Sequence, residues 1–175
     1  MNIGNNFVSP TFGGFTMTEK AEKSQKKAET NIYINDNYDY LQQLKNAKDK
    51  TENLKEVDLI IRDKNNYKLV NPASKETILG NGLKVYHLVD VNSCEYDAQA
   101  GYDPITMYEY IPTKKVVLED KRFFKPRKLE IITETVEKAK TMAEDLQKLK
   151  GLDLYTAVAE IIENIKKSRL DKIIK

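Results

Sequence analysis

The chain has 175 residues, of which 40% are apolar and 32% charged, with a net charge of +2 and one cysteine, Cys94. That size allows one domain with a tail or two very small ones, and it buries enough surface to fold without cross-links. The lone cysteine excludes an internal disulfide or a cysteine-built metal cage, and no apolar run approaches the ~20 residues that cross a bilayer.

Residues 1–30 read as a disordered arm. Phe7, Phe12 and Phe15 are scattered among Asn, Ser, Pro and Gly without strand or helix periodicity, and over residues 18–30 only Ala21 and Ala28 are apolar. Such a stretch cannot bury a face large enough to offset its chain entropy. Its phenylalanines form either a short docking motif or a tail with no specific task. The first 20 residues have neither the basic nor the apolar region of a secretory signal. A soluble, cytoplasmic protein is therefore expected, with signal-free export as the alternative.

Residues 31–175 read as a single α+β domain. Tyr40, Leu41, Leu44 and Ala47 fall at helical spacing over 36–50, and Asp36 is placed to cap that helix. A β-rich middle follows, from about 56 to 120. Residues 57–62 and 67–70 flank Asp63-Lys64-Asn65-Asn66 as a hairpin, which Asn71-Pro72 ends. Residues 77–79 and 83–91 flank Gly80-Asn81-Gly82 as a second hairpin, with Val85, His87, Val89 and Val91 on one face. Residues 105–111 and 115–118 add two strands with Pro112 between them. Gaps this short imply an antiparallel sheet.

The C-terminal part reads as an αα-hairpin, 126–150 and 153–172, packed on that sheet. Leu129, Ile132, Val136, Ala139, Ala143 and Leu146 are spaced 3-4-3-4-3, Pro126 suits a first turn, and Gly151 suits a stop. Asp153 can then cap a second helix carrying Leu154, Val158, Ile161, Ile162 and Ile165. Ile131, Met142 and Leu149 lie off the seam and need cover from the sheet or from another chain, which makes them candidate interface residues.

Charge is concentrated in one segment. Residues 112–128 hold seven basic and two acidic side chains, net +5; the basic ones are Lys114, Lys115, Lys121, Arg122, Lys125, Arg127 and Lys128. Phe123 and Phe124 interleave with them, as aromatics do in proteins that bind single-stranded nucleic acid. The same segment serves equally as a solvated linker into the helix, or as a contact for protein or anionic lipid. Only four of the chain's 29 basic residues are arginine, so the planar fork that reads phosphate or guanine is scarce.

Gly80-Asn81-Gly82 lacks the third glycine and the following helix of a nucleotide loop. His87, Asp90 and Cys94 are the one set suited to activating a thiolate. On an extended strand, however, positions 87 and 94 point to opposite faces about 23 Å apart at ~3.3 Å per residue. A calcium loop starting at Asp90 fails where Cys94, Glu95 and Gly101 stand. Tyr-x-x-apolar strings at Tyr38, Tyr102 and Tyr108 are the ordinary product of ten tyrosines in a strand-rich chain. No catalytic residue, metal or cofactor is expected. The leading functional expectation is a non-enzymatic protein-interaction or assembly protein whose helical hairpin meets a protein partner or a second copy. The alternatives are nucleic-acid or other polyanion binding through residues 114–128, and an unusual small enzyme using Cys94 and His87.

Overall fold

The computed structural model describes residues 14–95, 106–121 and 126–173. In chain order these form β1 (Gly14–Met17), α1 (Glu19–Thr30), α2 (Asn35–Thr51), β2 (Asp58–Asp63), β3 (Asn66–Asn71) and β4 (Glu76–Gly80). Then come β5 (Lys84–Glu95), β6 (Thr106–Asp120), β7 (Arg127–Ile132), α3 (Val136–Lys148) and α4 (Leu152–Ile173). The fold is α+β. Two units share the span read as one domain: the first takes the described residues up to Asn81 and from Lys150 onward, the second takes Gly82–Leu149.

The first unit is built on a mixed sheet, β1-β2-β3-β4, in which β1 runs parallel to β2 and the other pairs are antiparallel. β1 starts at Gly14, with a φ of +103°. A Cβ there would lie 2.6 Å from the Glu52 carbonyl oxygen, so only glycine lets the two backbones approach. Thr18 caps α1 by accepting from the Ala21 amide at 3.3 Å. Ala21 and Ala28, two turns apart, are both buried, and α1 lies against α2 and β2. Residues 14–30, read from the sequence as part of a disordered arm, therefore form a strand and a helix. Small side chains suffice because they let the helix sit close to its neighbours. Phe15 is half-buried in β1, whereas Phe7 and Phe12 lie outside the described residues.

The other elements of this unit follow the apolar pattern more directly. α2 buries Tyr40, Leu44, Ala47 and Thr51 along one face. Ile34 occupies its cap position without a side-chain hydrogen bond, and Asp36 falls in the first turn. β2 and β3 pair Leu59 with Leu69 and Ile61 with Tyr67, and all four are buried. β4 continues the sheet beyond β3. The turn between them holds Asn71, whose side-chain oxygen accepts from the Ala73 amide at 3.0 Å. Asn71-Pro72 thus opens a turn into a third strand. α4 adds Leu152, Tyr155, Val158, Ala159 and Ile162 to the core, against α2, β2 and β3. The Tyr155 ring meets Tyr67 edge-on at 5.2 Å.

The second unit is an antiparallel sheet, β5-β6-β7, with α3 packed on β5 and β6. Residues 80–82 were expected to turn a hairpin between β4 and β5. Those strands belong to different sheets, and Asn81 and Gly82, at φ of 40° and 83°, lie between them. The two strands expected on either side of Pro112 are one, β6. Pairing with β5 slips between His87 and Val89, opposite Pro112 and Val116, and such an irregularity tolerates the amide that proline lacks. Residues 127–132, expected to begin a helix, form β7. Leu129 pairs with Leu118 and Ile131 with Val116, and the β-branched run Ile131-Ile132-Thr133 favours an extended chain. The helix starts only at Val136, ten residues later than expected, where the Thr135 hydroxyl accepts from the Lys138 amide at 3.1 Å. It buries Ala139, Ala143 and Leu146. The 3-4 spacing that suggested one helical seam thus spans a strand, a turn and a helix.

Candidate functional site

Among the described residues of the second unit, the outer half of β5 and β6 lacks a third strand beside it. From Val89↔Pro112 to Glu95↔Thr106 the two strands run seven residue pairs, whereas β7 pairs with β6 only from Lys115 to Asp120. Among the described residues this is a two-stranded ribbon, about 20 Å long at ~3.3 Å per residue. At its root the side chains are enclosed: Val116, Leu118 and Ile131 are buried. The Gln147 side-chain amide donates to the Val85 carbonyl at 3.0 Å, occupying an edge group of β5. Thr113 closes the irregular pairing, its hydroxyl donating to the Leu88 carbonyl at 2.9 Å while its own carbonyl lies 2.6 Å from His87 Nε2.

Beyond that polar latch the cover ends. Val89 is 38% exposed, Val91 51%, Tyr110 69% and Ile111 41%. Val91 is paired with Tyr110, so these two share a face, while Ile111 is paired with Asp90 on the other. A two-stranded ribbon is marginal in water by itself, and strand edges without a neighbour are templates for pairing. Asp90 and Glu109 are exposed among the apolar residues. The first unit also exposes Ile32, Tyr33, Ile34 and Tyr38, but these lie in and just after a tight connection whose backbone is bonded to itself, as in Ile34 N to Asn31 O at 3.1 Å.

The basic segment is folded into a hairpin. Lys114 and Lys115 stand in β6, Lys121 just after it, and Arg127 and Lys128 in β7, while Arg122, Phe123, Phe124 and Lys125 lie outside the described residues. The Lys115 ammonium is 3.3 Å from the Glu130 carboxylate. Cross-strand register sets Glu119 beside Lys128 and Asp120 beside Arg127, and the Arg127 amide donates to buried Asp120 at 2.8 Å. Lys114, Lys121 and Lys128 are exposed. Of the expected interface residues, Ile131 is buried in β7, and Met142 and Leu149 are half-buried. Ile132, one residue along, is 73% exposed. His87 and Cys94 stand seven positions apart on the same strand, Cys94 opposite Met107. Gly101, the last position of the calcium loop tested above, is outside the described residues. Among the described residues, no group of three or more His, Cys, Asp and Glu side chains could hold a metal ion.

Two polar features of the first unit escaped the sequence reading. Glu163, on α4, is buried, and its carboxylate accepts from the Glu56 amide at 2.7 Å and the Lys55 amide at 3.1 Å. Lys167 closes the set at 3.1 Å. Burial pushes this carboxyl's pKa up, but the Glu56 and Lys55 amides and the Lys167 ammonium outweigh it and hold it below its ordinary value. A glutamate inside the run Ile161-Ile162-Glu163-Asn164-Ile165 was the available signal. The second feature is a cleft of about 380 Å³ beside Tyr40, Lys64, Tyr67 and Gly151. The Tyr40 hydroxyl is buried there without a hydrogen-bond partner, and Lys64 lies over its ring. Burial, with neighbouring Tyr40, Asp63 and Tyr155, pushes the Tyr67 hydroxyl up to about 12, so it is a neutral donor to the Lys64 carbonyl.

Among the described residues no helix is long and apolar enough to cross a membrane. No protein-family model, curated protein or solved structure matches the chain.

Proposed function

We propose that this is a non-enzymatic interaction or assembly protein, and that its contact surface is the outer half of the β5–β6 ribbon. The observation that supports this is the run of exposed apolar side chains, Val89, Val91, Tyr110 and Ile111, on strands with no third neighbour among the described residues. Apolar area left on both faces of a ribbon marks a contact site more readily than scattered single exposures. The terminal helices, expected to supply that surface, contribute its base: α3 packs on the root of the ribbon, and Ile131, Met142 and Leu149 leave little apolar area there. Polyanion binding through 114–128 draws less support, because carboxylates of Glu119, Asp120 and Glu130 stand in register among the basic residues.

The test replaces Val91 and Tyr110 together by Thr, which removes apolar area while keeping strand propensity. Immobilised parent and variant are compared for proteins retained from an extract of the source cells, and both are sedimented alone. Association shown by the parent and lost in the variant supports the reading. Equal retention by both overturns it.

A further inference from the structure

We propose that the cleft between α2, the β2–β3 turn and the start of α4 is a binding site for a small zwitterion, a free α-amino acid. Every residue that lines it belongs to the first unit, so the site stands independently of the ribbon. Its volume of about 380 Å³ lies in the range of small-molecule pockets, ~300–1,000 Å³. One wall is a stripe of α2 in which Asp36, Asp39, Tyr40 and Gln43 follow one another at helical spacing. Lys150 and Gly151 close the far end, where the Gln43 side-chain oxygen accepts from the Leu152 amide at 3.1 Å.

The polar groups of this cleft are left without partners. Tyr40 is 4% exposed, yet its hydroxyl meets no hydrogen-bonding group. Keeping a hydroxyl from water without a partner destabilises a fold, so its retention asks for a cause outside folding. Burial, and then Asp63, push its pKa up, which leaves it a neutral donor. Asp36, Asp39 and Lys150 line the same cleft, and none has an ion-pair partner among the described residues. Lys64 bonds the Asn37 side-chain oxygen at 3.2 Å instead of a carboxylate.

These charges are ordered along α2, acids at its start and Gln43 with Lys150 at the other end. The Gln43 oxygen is taken by Leu152, so its NH₂ group is free to donate to a carboxylate, and the first turn of α4 adds the positive end of a helix dipole there. Gln43 lies four residues from Asp39 and seven from Asp36, about 6 and 10 Å along the axis at ~1.5 Å per residue. An α-amino acid holds its nitrogen and carboxyl carbon about 2.5 Å apart, and a contact of ~3 Å at each end makes a span of roughly 8–9 Å. A ligand of a single charge sign would meet like charge at one end. The ammonium of the zwitterion takes Asp36 and Asp39, its carboxylate takes Lys150 and Gln43, and Tyr40 between them gains an acceptor. Lys64, whose ammonium lies 5.9 Å from the centre of the Tyr40 ring, is the flexible cover that moves aside.

The experiment adds each common L-amino acid, at about 10 mM, to the full chain and reads the thermal midpoint, followed by calorimetric titration of any that raises it. At least one is expected to bind saturably. Its N-acetyl and carboxamide derivatives, each lacking one charge, are expected to bind at least about tenfold more weakly. Tyr40→Phe is expected to keep or raise the ligand-free midpoint, because it removes an unmet hydroxyl, while affinity falls at least about fivefold. Asp36→Asn with Asp39→Asn, both at exposed positions, is expected to abolish binding, and it carries the test if Tyr40→Phe does not fold. The proposal is overturned if no amino acid raises the midpoint, if a derivative lacking one charge binds as tightly as its parent, or if either folded variant binds undiminished.

Discussion

In the first unit, inward-facing polar groups are matched across elements that are distant in sequence. Glu163 of α4 takes the amides that lead into β2, Asp58 of β2 accepts from Thr16 of β1 at 3.0 Å, and Gln43 of α2 accepts from the Leu152 amide at 3.1 Å. Among the described residues only the Tyr40 hydroxyl and the Asn66 side-chain oxygen are buried without a partner. In the second unit such matches gather at the root of the ribbon, around Thr113, Asp120 and Gln147. Beyond them the ribbon carries apolar side chains that are only partly covered, such as Val91 and Tyr110. Matched polar groups fix one arrangement of a core, whereas uncovered apolar ones leave free energy available to a partner. The contrast predicts where substitutions harm folding and where they harm only association.

The largest effect tests whether β1 and α1 belong to that matched core. Deleting residues 1–30 removes the bonds from Gly14 N to Val57 O and from Thr18 N to Ile61 O, each 3.0 Å. It also uncovers the strand that carries Leu59 and Ile61. The thermal midpoint of the first unit is expected to fall by about 10 °C or more, at roughly 2–4 °C per kcal/mol for a chain of this size. Removing residues 1–13 alone serves as the control. An unchanged midpoint after the longer deletion would place α1 outside the core despite its buried alanines.

Next comes Glu163→Gln. The amide keeps one acceptor oxygen but turns an NH₂ toward donors, and it loses the Lys167 ion pair, so a cost of about 2–4 kcal/mol is expected from urea titration at neutral pH. The pH dependence fixes the sign. The folded pKa of Glu163 lies below its ordinary value, so its contribution is complete above about 4.5 and is lost as pH falls through the lowered value. Asp58 acts in reverse. Burial, only partly offset by the Thr16 hydroxyl, raises its pKa, so its charge costs stability above the raised value and that cost vanishes on acidification. The Gln variant should therefore lose less stability than the parent between pH 5 and 3. A parallel pair of acid curves would mean that the carboxylate is not the group holding residues 55–56.

These features were unequally legible from the amino-acid order. α2, the β2–β3 hairpin and the apolar face of α4 follow from local periodicity, because Tyr40, Leu44 and Ala47, or Leu59 and Ile61, face one core along their whole length. β1 and α1 were hidden because their place depends on close approach, at Gly14, Ala21 and Ala28, which hydrophobicity does not register. β7 was hidden because Leu129, Ile132 and Val136 keep helical spacing across a strand end. The glycine turn at 80–82 reads alike whether it returns the chain to the same sheet or passes it to another. The charge of 112–128 was plain, but its pairing with Glu119, Asp120 and Glu130 depends on a strand register that periodicity cannot supply. The exposed ribbon escaped notice for a related reason: the alternation of Val85, His87, Val89 and Val91 looks the same where α3 packs and where cover has ended.

The smallest effect probes that last distinction with one chemical change at two sites. Val→Thr keeps volume and β-branching nearly constant, so it isolates the cost of placing a hydroxyl where a methyl stood. Val116 is fully buried at the root of the ribbon, and its replacement should cost about 1–3 kcal/mol because the hydroxyl meets apolar neighbours. Val91 is 51% exposed on the ribbon's outer half, where water solvates the new group, so the change should stay within ~0.5 kcal/mol. Both are measured by urea unfolding of dilute protein, which keeps any association out of the comparison. If Val91→Thr costs as much as Val116→Thr, the ribbon is covered within its own chain and its apolar face is core. A negligible loss at Val91, with association weakened when the same variant is concentrated, assigns that side chain to contact alone.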